Sequence, residues 1–210
     1  MLRGIFAVSS VLIMFSALAD NNETTAEDAN FKDGIYVNNH IKHPDKSFWA
    51  YLGMRFFGDE QWPNYEKSAP LIPKVEIDLD SLTTAKKAKQ QLTWLGHSTF
   101  LIQVGQLNIL TDPVFSERAS PVSFAGPKRY TKVATDINNL PDIDIVIISH
   151  NHYDHLDEFS IKKLGNKPLY FVPSGLSSWF VSKGIDRTRL VELRWWQGYS
   201  EKLKESEKSS

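Results

Sequence analysis

The clearest alternation of apolar and polar positions along this chain begins at Gln91. Residues 92–95, 100–104 and 107–110 are short runs rich in Leu, Ile, Val, Phe and Trp, broken by Gly96 and by Gly105-Gln106. Apolar runs of this length, divided by glycine, predict strands joined by tight turns, so residues 91–110 read as an antiparallel meander. A loop rich in Pro, Ser and Gly follows over 112–130, with a short helical stretch near 136–140. The run 143–148, apolar but for Asp144, then predicts a strand covered on both faces. Beyond it come a helix over 157–164 stopped by Gly165, a strand over 169–172, a helix over 176–183 stopped by Gly184, and a strand over 190–193. Glycine just past a helix end takes the left-handed conformation that closes the last turn. Helices alternating with strands predict a mixed α/β sheet.

Upstream the pattern differs. Arg3 precedes an uncharged apolar run over 5–18 that ends in Ala17-Leu18-Ala19. This reads as a secretory signal peptide over 1–19, because a span across hydrocarbon needs about 20 apolar residues and this run is shorter. The expected location is exported, periplasmic or secreted, with membrane association left open. Residues 20–30 are acidic and polar and read as a disordered lead-in. Residues 31–90 form an N-terminal extension whose first part is rich in aromatics, among them Phe48, Trp49, Tyr51, Phe56, Phe57, Trp62 and Tyr65, punctuated by four prolines. So many large apolar side chains are expected to wrap the core rather than stay in water. The alternative is an aromatic platform for lipid or a partner.

Composition narrows the class. With 210 residues the chain can bury a core for one main domain, and a net charge of -1 gives no field to gather nucleic acid. It has no cysteine, so neither disulfides nor thiolate metal ligands are available.

The chemistry concentrates in His150-Asn151-His152-Tyr153-Asp154-His155, which holds three of the six histidines and starts where the buried strand is expected to end. Ligands for catalysis belong at the carboxyl ends of strands. Imidazole and carboxylate suit Zn(II) or Fe(II), and three neutral donors with one anion leave a bound ion positively charged. His150 and His152, two apart on an extended segment, can converge on one ion, while Asp154 and His155 can turn to a second. Two ions about 3.5–4 Å apart generate a nucleophile from water without any serine or cysteine.

This run matches a His-x-His-x-Asp-His signature and resembles the metallo-β-lactamase superfamily. The segments Thr93-Trp94-Leu95-Gly96-His97-Ser98-Thr99, Leu110-Thr111-Asp112-Pro113 and Gly126-Pro127-Lys128-Arg129-Tyr130 are similar to its bacterial branch related to N-acylphosphatidylethanolamine-hydrolysing phospholipase D. The resemblance implies the N-terminal half of an αββα sandwich over residues 91–199, two zinc ions or iron, and a small-molecule or lipid substrate. It implies His150 and His152 as ligands of one metal and Asp154 and His155 of the other, with Asp154 as the catalytic carboxylate. The reaction implied is phosphodiester hydrolysis, with lactone or β-lactam hydrolysis on the same metals as the alternative.

Asp112 either accepts a hydrogen bond that orients a ligand histidine or braces a turn before proline. Lys128 and Arg129 are candidates for substrate phosphate, or solvated loop residues. His97 is expected to satisfy a buried hydrogen bond, and His40 and His43 read as bystanders.

The resemblance also implies further ligands, and no histidine follows His155. Residues 200–210 are a charged, aromatic-free tail where the family continues, which reads as truncation of a longer ancestor. Two ligands per ion fall short of the three usual at catalytic zinc. The expectation is then impaired chemistry, an inactive remnant, or a subunit completed by a complementary chain or by self-association through an exposed sheet.

Overall fold

The computed structural model describes residues 31–32, 35–36, 47–58, 65–83, 90–195 and 197–200. The signal-peptide and lead-in readings, the tail beyond Ser200, Trp62, His40 and His43 lie outside them. The chain divides into two compact units, Met1–Lys46 with Arg194–Ser210, and Ser47–Leu193. In the first, β1 (Phe31–Lys32) pairs antiparallel with β2 (Ile35–Tyr36).

The second unit is built on a sheet of six strands: β3 (Gln91–Gly96), β4 (Thr99–Val104), β5 (Leu107–Thr111), β6 (Ile145–Ile147), β7 (Leu169–Pro173) and β8 (Leu190–Leu193). They lie in chain order. The first two pairings are antiparallel and the last three parallel, so every strand but β4 runs the same way. Parallel neighbours need a crossover. Between β6 and β7 it is α4 (Glu158–Leu164), and between β7 and β8 it is α5 (Ser177–Ser182). The start of α4 is fixed by Asp157, whose carboxylate caps Ser160 N. Its end is fixed by Gly165 at φ 60°, where the amide returns to Ile161 O.

One face of this sheet carries the core. Leu101, Leu110, Val146, Tyr170 and Leu190 from five strands cluster with Ile161 of α4 and Phe180 of α5, all essentially removed from water. Each such side chain contributes on the order of 1.5–3 kcal/mol by burial. A short helix, α3 (Leu79–Thr83), adds Leu82 to the same cluster, and Gln103 donates to the Leu82 carbonyl at 2.9 Å.

Two expectations are corrected. The run 143–148 is buried on one face only: Val146 is fully covered while Ile147 is 41% exposed. The aromatic extension does not wrap the core where it is described. In α1 (Phe48–Phe57), Trp49 is 77% and Phe57 88% exposed, and Phe48, Tyr51 and Met54 are exposed too. At 100° per residue these side chains point all round the helix, so no single protein surface covers them. A four-residue helix, α2 (Tyr65–Ser68), follows it. No helix among the described residues is long and apolar enough to cross a membrane.

Candidate metal centre

Strand direction decides which loops meet. Because β3, β5 and β6 run the same way, the turns after Gly96, Thr111 and Ile147 open at one edge of the sheet. That edge gathers His97, Asp112 and the 150–155 run.

Asp112 ties them together. Its backbone is left-handed at φ 35°, a conformation that costs a non-glycine residue about 1 kcal/mol or more. The surroundings hold it there: its amide donates to Ile147 O at 2.9 Å, and its carbonyl accepts from Thr99 Oγ1 at 2.7 Å. The buried carboxylate is thereby aimed at the next loop. Oδ1 accepts from Ser149 N at 2.7 Å, and Oδ2 accepts from Ser149 Oγ at 2.7 Å and meets His155 Nδ1 at 2.9 Å.

These contacts set the histidine tautomers. An ionised carboxylate can only accept, so His155 Nδ1 carries the proton and its Nε2 keeps a lone pair. Ser149 spends its single proton on Asp112, so the 2.9 Å contact between Ser149 Oγ and His150 Nδ1 is donated by the imidazole. His150 also presents an unprotonated Nε2. One carboxylate therefore prepares two imidazoles, one directly and one through a hydroxyl.

The 150–155 run then folds back. His155 N and Leu156 N both donate to His152 O, at 3.0 and 2.8 Å, which places the His155 ring 4.0 Å from that of His150, centroid to centroid. The His152 ring lies 4.6 Å from that of His150. Asp154 Oδ2 stands 3.7 Å from His155 Nε2 and 3.1 Å from His97 Nε2. Donor atoms of His97, Asp154 and His155 all lie within 4.8 Å of one another, a spacing that one cation can draw together.

Electrostatics agree with ligand duty. Burial acts to raise the Asp154 carboxyl, but its own backbone hydrogen bond, electrostatic attraction to His155 and His97 and the bond from His97 outweigh it, and the group sits below the ordinary carboxylate range. Burial, then electrostatic repulsion from the neighbouring His155 and His152, push the His150 imidazole below its usual value despite Asp112 and Asp154. The carboxylate stays anionic and that imidazole stays neutral at neutral pH, the states a metal ion requires.

His97 corrects the expectation of a buried, satisfied histidine. Its side chain is exposed and faces Asp154 across 57 positions of sequence. The turn that presents it is left-handed at φ 48°, and the Trp94 indole holds it by donating to His97 O at 2.8 Å. Gly96 before it has φ 131°, and a Cβ there would meet Arg129 Nη1 at 3.3 Å. Ser149 was the other residue passed over. A sequence signal for His97 did exist: strand parity in the meander sends the turn after β3 to the same edge as the turn after β5.

Arg129 and Lys128 part company. The Arg129 guanidinium donates to Val114 O at 2.5 Å and reaches Ser116 O at 3.4 Å, and burial lowers its pKa despite Asp157. It braces the loop after Asp112 instead of facing outward for a phosphate. Lys128 is exposed in the same hairpin, bridged to Arg118. From the other side Asp157, also buried, accepts from Phe115 N and Ser116 N at 3.1 Å each. The loop that positions Asp112 is thus clamped between a carboxylate and a guanidinium.

Comparison with known proteins points the same way. The model of the β-lactamase superfamily domain matches residues 91–199. N-acyl-phosphatidylethanolamine-hydrolyzing phospholipase D 1 of Caenorhabditis elegans is 43% identical over 109 residues, 49% of this chain and 31% of that protein. The mitochondrial N-acyl-phosphatidylethanolamine-hydrolyzing phospholipase D of Saccharomyces cerevisiae is 38% identical over 142 residues, 64% of this chain and 30% of that protein. A metal-dependent hydrolase of Rhizobium etli is 33% identical over 101 residues, 48% of this chain and 38% of that protein. The chain spans about a third of the length of these relatives. The domain match covers more than half of the chain and contains the whole sheet and every residue of the histidine cluster, so the chain belongs to the metallo-β-lactamase superfamily.

Proposed function

We propose that this chain is a metal-dependent hydrolase that takes the phosphodiester of an N-acylphosphatidylethanolamine-like lipid, with two zinc ions as the metals. The observation that carries the metal reading is the Asp112 network, in which one buried carboxylate orients His155 directly and His150 through Ser149. A solvated loop of histidines has no need of such a support. The donor set fits a borderline cation: imidazole nitrogens and an ionised carboxylate.

His150 and His152 would hold one ion, and His155, Asp154 and His97 the other. When bound, such ions polarise a phosphoryl oxygen and lower the pKa of water. The residues contribute the rest. Asp112 orients two imidazoles, one directly and one through Ser149, Asp154 supplies negative charge between His97 and His155, and the Asp157–Arg129 clamp holds the loop beneath. Support for the lipid substrate comes from the two phospholipase D relatives named above.

The test is release of phosphatidate from N-acylphosphatidylethanolamine vesicles by the zinc-loaded chain, with a lactone and a β-lactam as competing substrates. The proposal expects lipid turnover that the Asp112→Asn variant loses. Faster turnover of the lactone or β-lactam would replace the substrate assignment. Zinc binding without turnover of any of them would leave a metal-binding remnant and sink the enzyme reading.

A further inference from the structure

The loop that leaves Asp112 closes on itself and holds an apolar tip in water. At its base Arg129 N donates to Glu117 O at 2.7 Å and Ala119 N to Pro127 O at 3.0 Å. Further out Arg118 Nη1 donates to Gly126 O at 2.8 Å. Gly126 has φ 98°, and a Cβ there would meet Ser120 Cβ at 2.6 Å, so the two arms touch. Pro121 and Pro127 stiffen them. Every residue from Pro121 to Lys128 is exposed, Phe124 at 82%. The hairpin is anchored from the helix-covered side of the sheet, where Asp157 and Ser160 of α4 accept from Phe115 N at 3.1 and 2.9 Å. Charge is also biased here. From Arg118 to Thr135 there are four basic residues and no carboxylate, in a chain whose net charge is -1.

We infer that hairpin 117–129 docks on a lipid bilayer, with Phe124 and Val122 entering the headgroup boundary and Lys128 on anionic phosphates. The choice of partner rests on the lipid reading of the metal site. An exposed aromatic tip flanked by long basic side chains is the chemistry of an interfacial anchor: the ring leaves water while the ammonium groups stay among phosphates. The closed arms suit insertion, because a tip that is already rigid loses little conformational freedom when it is immobilised. Placement gives the docking a purpose. The hairpin departs at Asp112 and returns at Arg129, whose Nη1 lies 3.3 Å from where a Cβ of Gly96 would stand, next to His97. Both roots therefore sit at the edge that carries the histidine cluster, and docking brings that edge to the depth of a lipid phosphodiester. Lys128 then meets the headgroups of the surrounding bilayer.

Vesicles that contain no N-acylphosphatidylethanolamine read docking apart from hydrolysis. The full chain has no cysteine, so Ser123→Cys at the tip and Thr188→Cys, exposed before β8 at the opposite edge, each take a single polarity-sensitive dye. On vesicles of phosphatidylcholine and phosphatidylserine the dye at 123 should shift to the blue and the dye at 188 should not. In flotation on the same vesicles Phe124→Ser should bind roughly tenfold more weakly. Lys128→Glu should bind roughly 25-fold more weakly, a loss that disappears on phosphatidylcholine alone. Both substitutions lie on exposed positions and should keep the parent's far-ultraviolet circular dichroism. No blue shift at 123, or flotation that neither variant weakens, would overturn the inference, the latter by placing lipid contact elsewhere in the chain. Docking as described without turnover of any lipid would support the inference and overturn the substrate reading.

Discussion

The two edges of the six-stranded sheet are made of the same kinds of loop but solve the same backbone problem differently. At the edge where β4 ends and β7 and β8 begin, left-handed positions are occupied by glycine: Gly105 at φ 61°, Gly165 at φ 60° and Gly184 at φ 91°. At the opposite edge, after β3 and β5, they include His97 and Asp112, the only non-glycine residues with positive φ among those described. Glycine would adopt both conformations without strain. A fold that keeps a histidine and an aspartate there retains them for their side chains, and strain of this kind concentrates at functional sites. One edge is built for closure and the other for chemistry.

The largest expected effect comes from removing the support beneath the strained edge. Asp157→Ala deletes the cap of α4, removes the acceptor of the Ser116 amide and leaves the Phe115 amide with Ser160 Oγ alone, which should cost about 3 kcal/mol in denaturant unfolding. It should also weaken zinc binding measured on the folded protein, since the loop after Asp112 loses its clamp. A variant that lost stability with unchanged zinc affinity would separate the clamp from the site. Next, Asp112→Asn should lower zinc affinity by roughly 10- to 100-fold, the usual consequence of removing the acceptor that orients a ligand histidine. Isothermal titration reads this directly, and unchanged affinity would break the link between the two loops.

The edges themselves are compared by a matched pair. Gly105→Ala puts a side chain on a left-handed turn and should destabilise by about 1 kcal/mol with zinc binding intact. His97→Gly relieves the same strain against the greater entropy of glycine in the unfolded chain, so stability should change by no more than about 0.5 kcal/mol while zinc binding weakens. The His97–Asp154 contact is exposed and adds little stability of its own without metal. Equal behaviour of the two variants would erase the distinction between the edges.

The smallest effect is a pH dependence away from the cluster. Burial acts to raise the Glu192 carboxyl, but the bond from Ser177 N at 2.6 Å and its neighbours outweigh it, holding the group below the usual range. A carboxyl depressed in the folded state stabilises above its unfolded pKa and loses that contribution as pH falls through its folded value. Glu192→Gln should therefore be slightly less stable than the parent at neutral pH, with the difference vanishing in acid.

Much of this was legible in the sequence because its signals were local. Gly105 and Gly165 mark turns by their own conformational freedom, and the alternation from Leu92 to Val104 depends only on neighbours. The six residues from His150 carry their donors contiguously, so the chemistry could be read before any fold was known. His97 could not be read that way. Its partner Asp154 is 57 residues distant, and the two meet only because an even number of strand reversals returns the chain to the same edge. Arg129 misled for a related reason: a basic residue in a loop looks solvated until the carbonyls of Val114 and Ser116 are placed around it. Burial of the aromatics in α1 and of the outer face of β6 was inferred from composition, which reports how apolar a segment is and not whether anything covers it.

The measurement closest to the central claim is the zinc content of the purified, folded chain after equilibration with zinc and removal of excess, alongside His150→Ala and His155→Ala. The account predicts bound zinc in the parent and a clear reduction in each variant. A parent chain that retains no more zinc than the variants would contradict it.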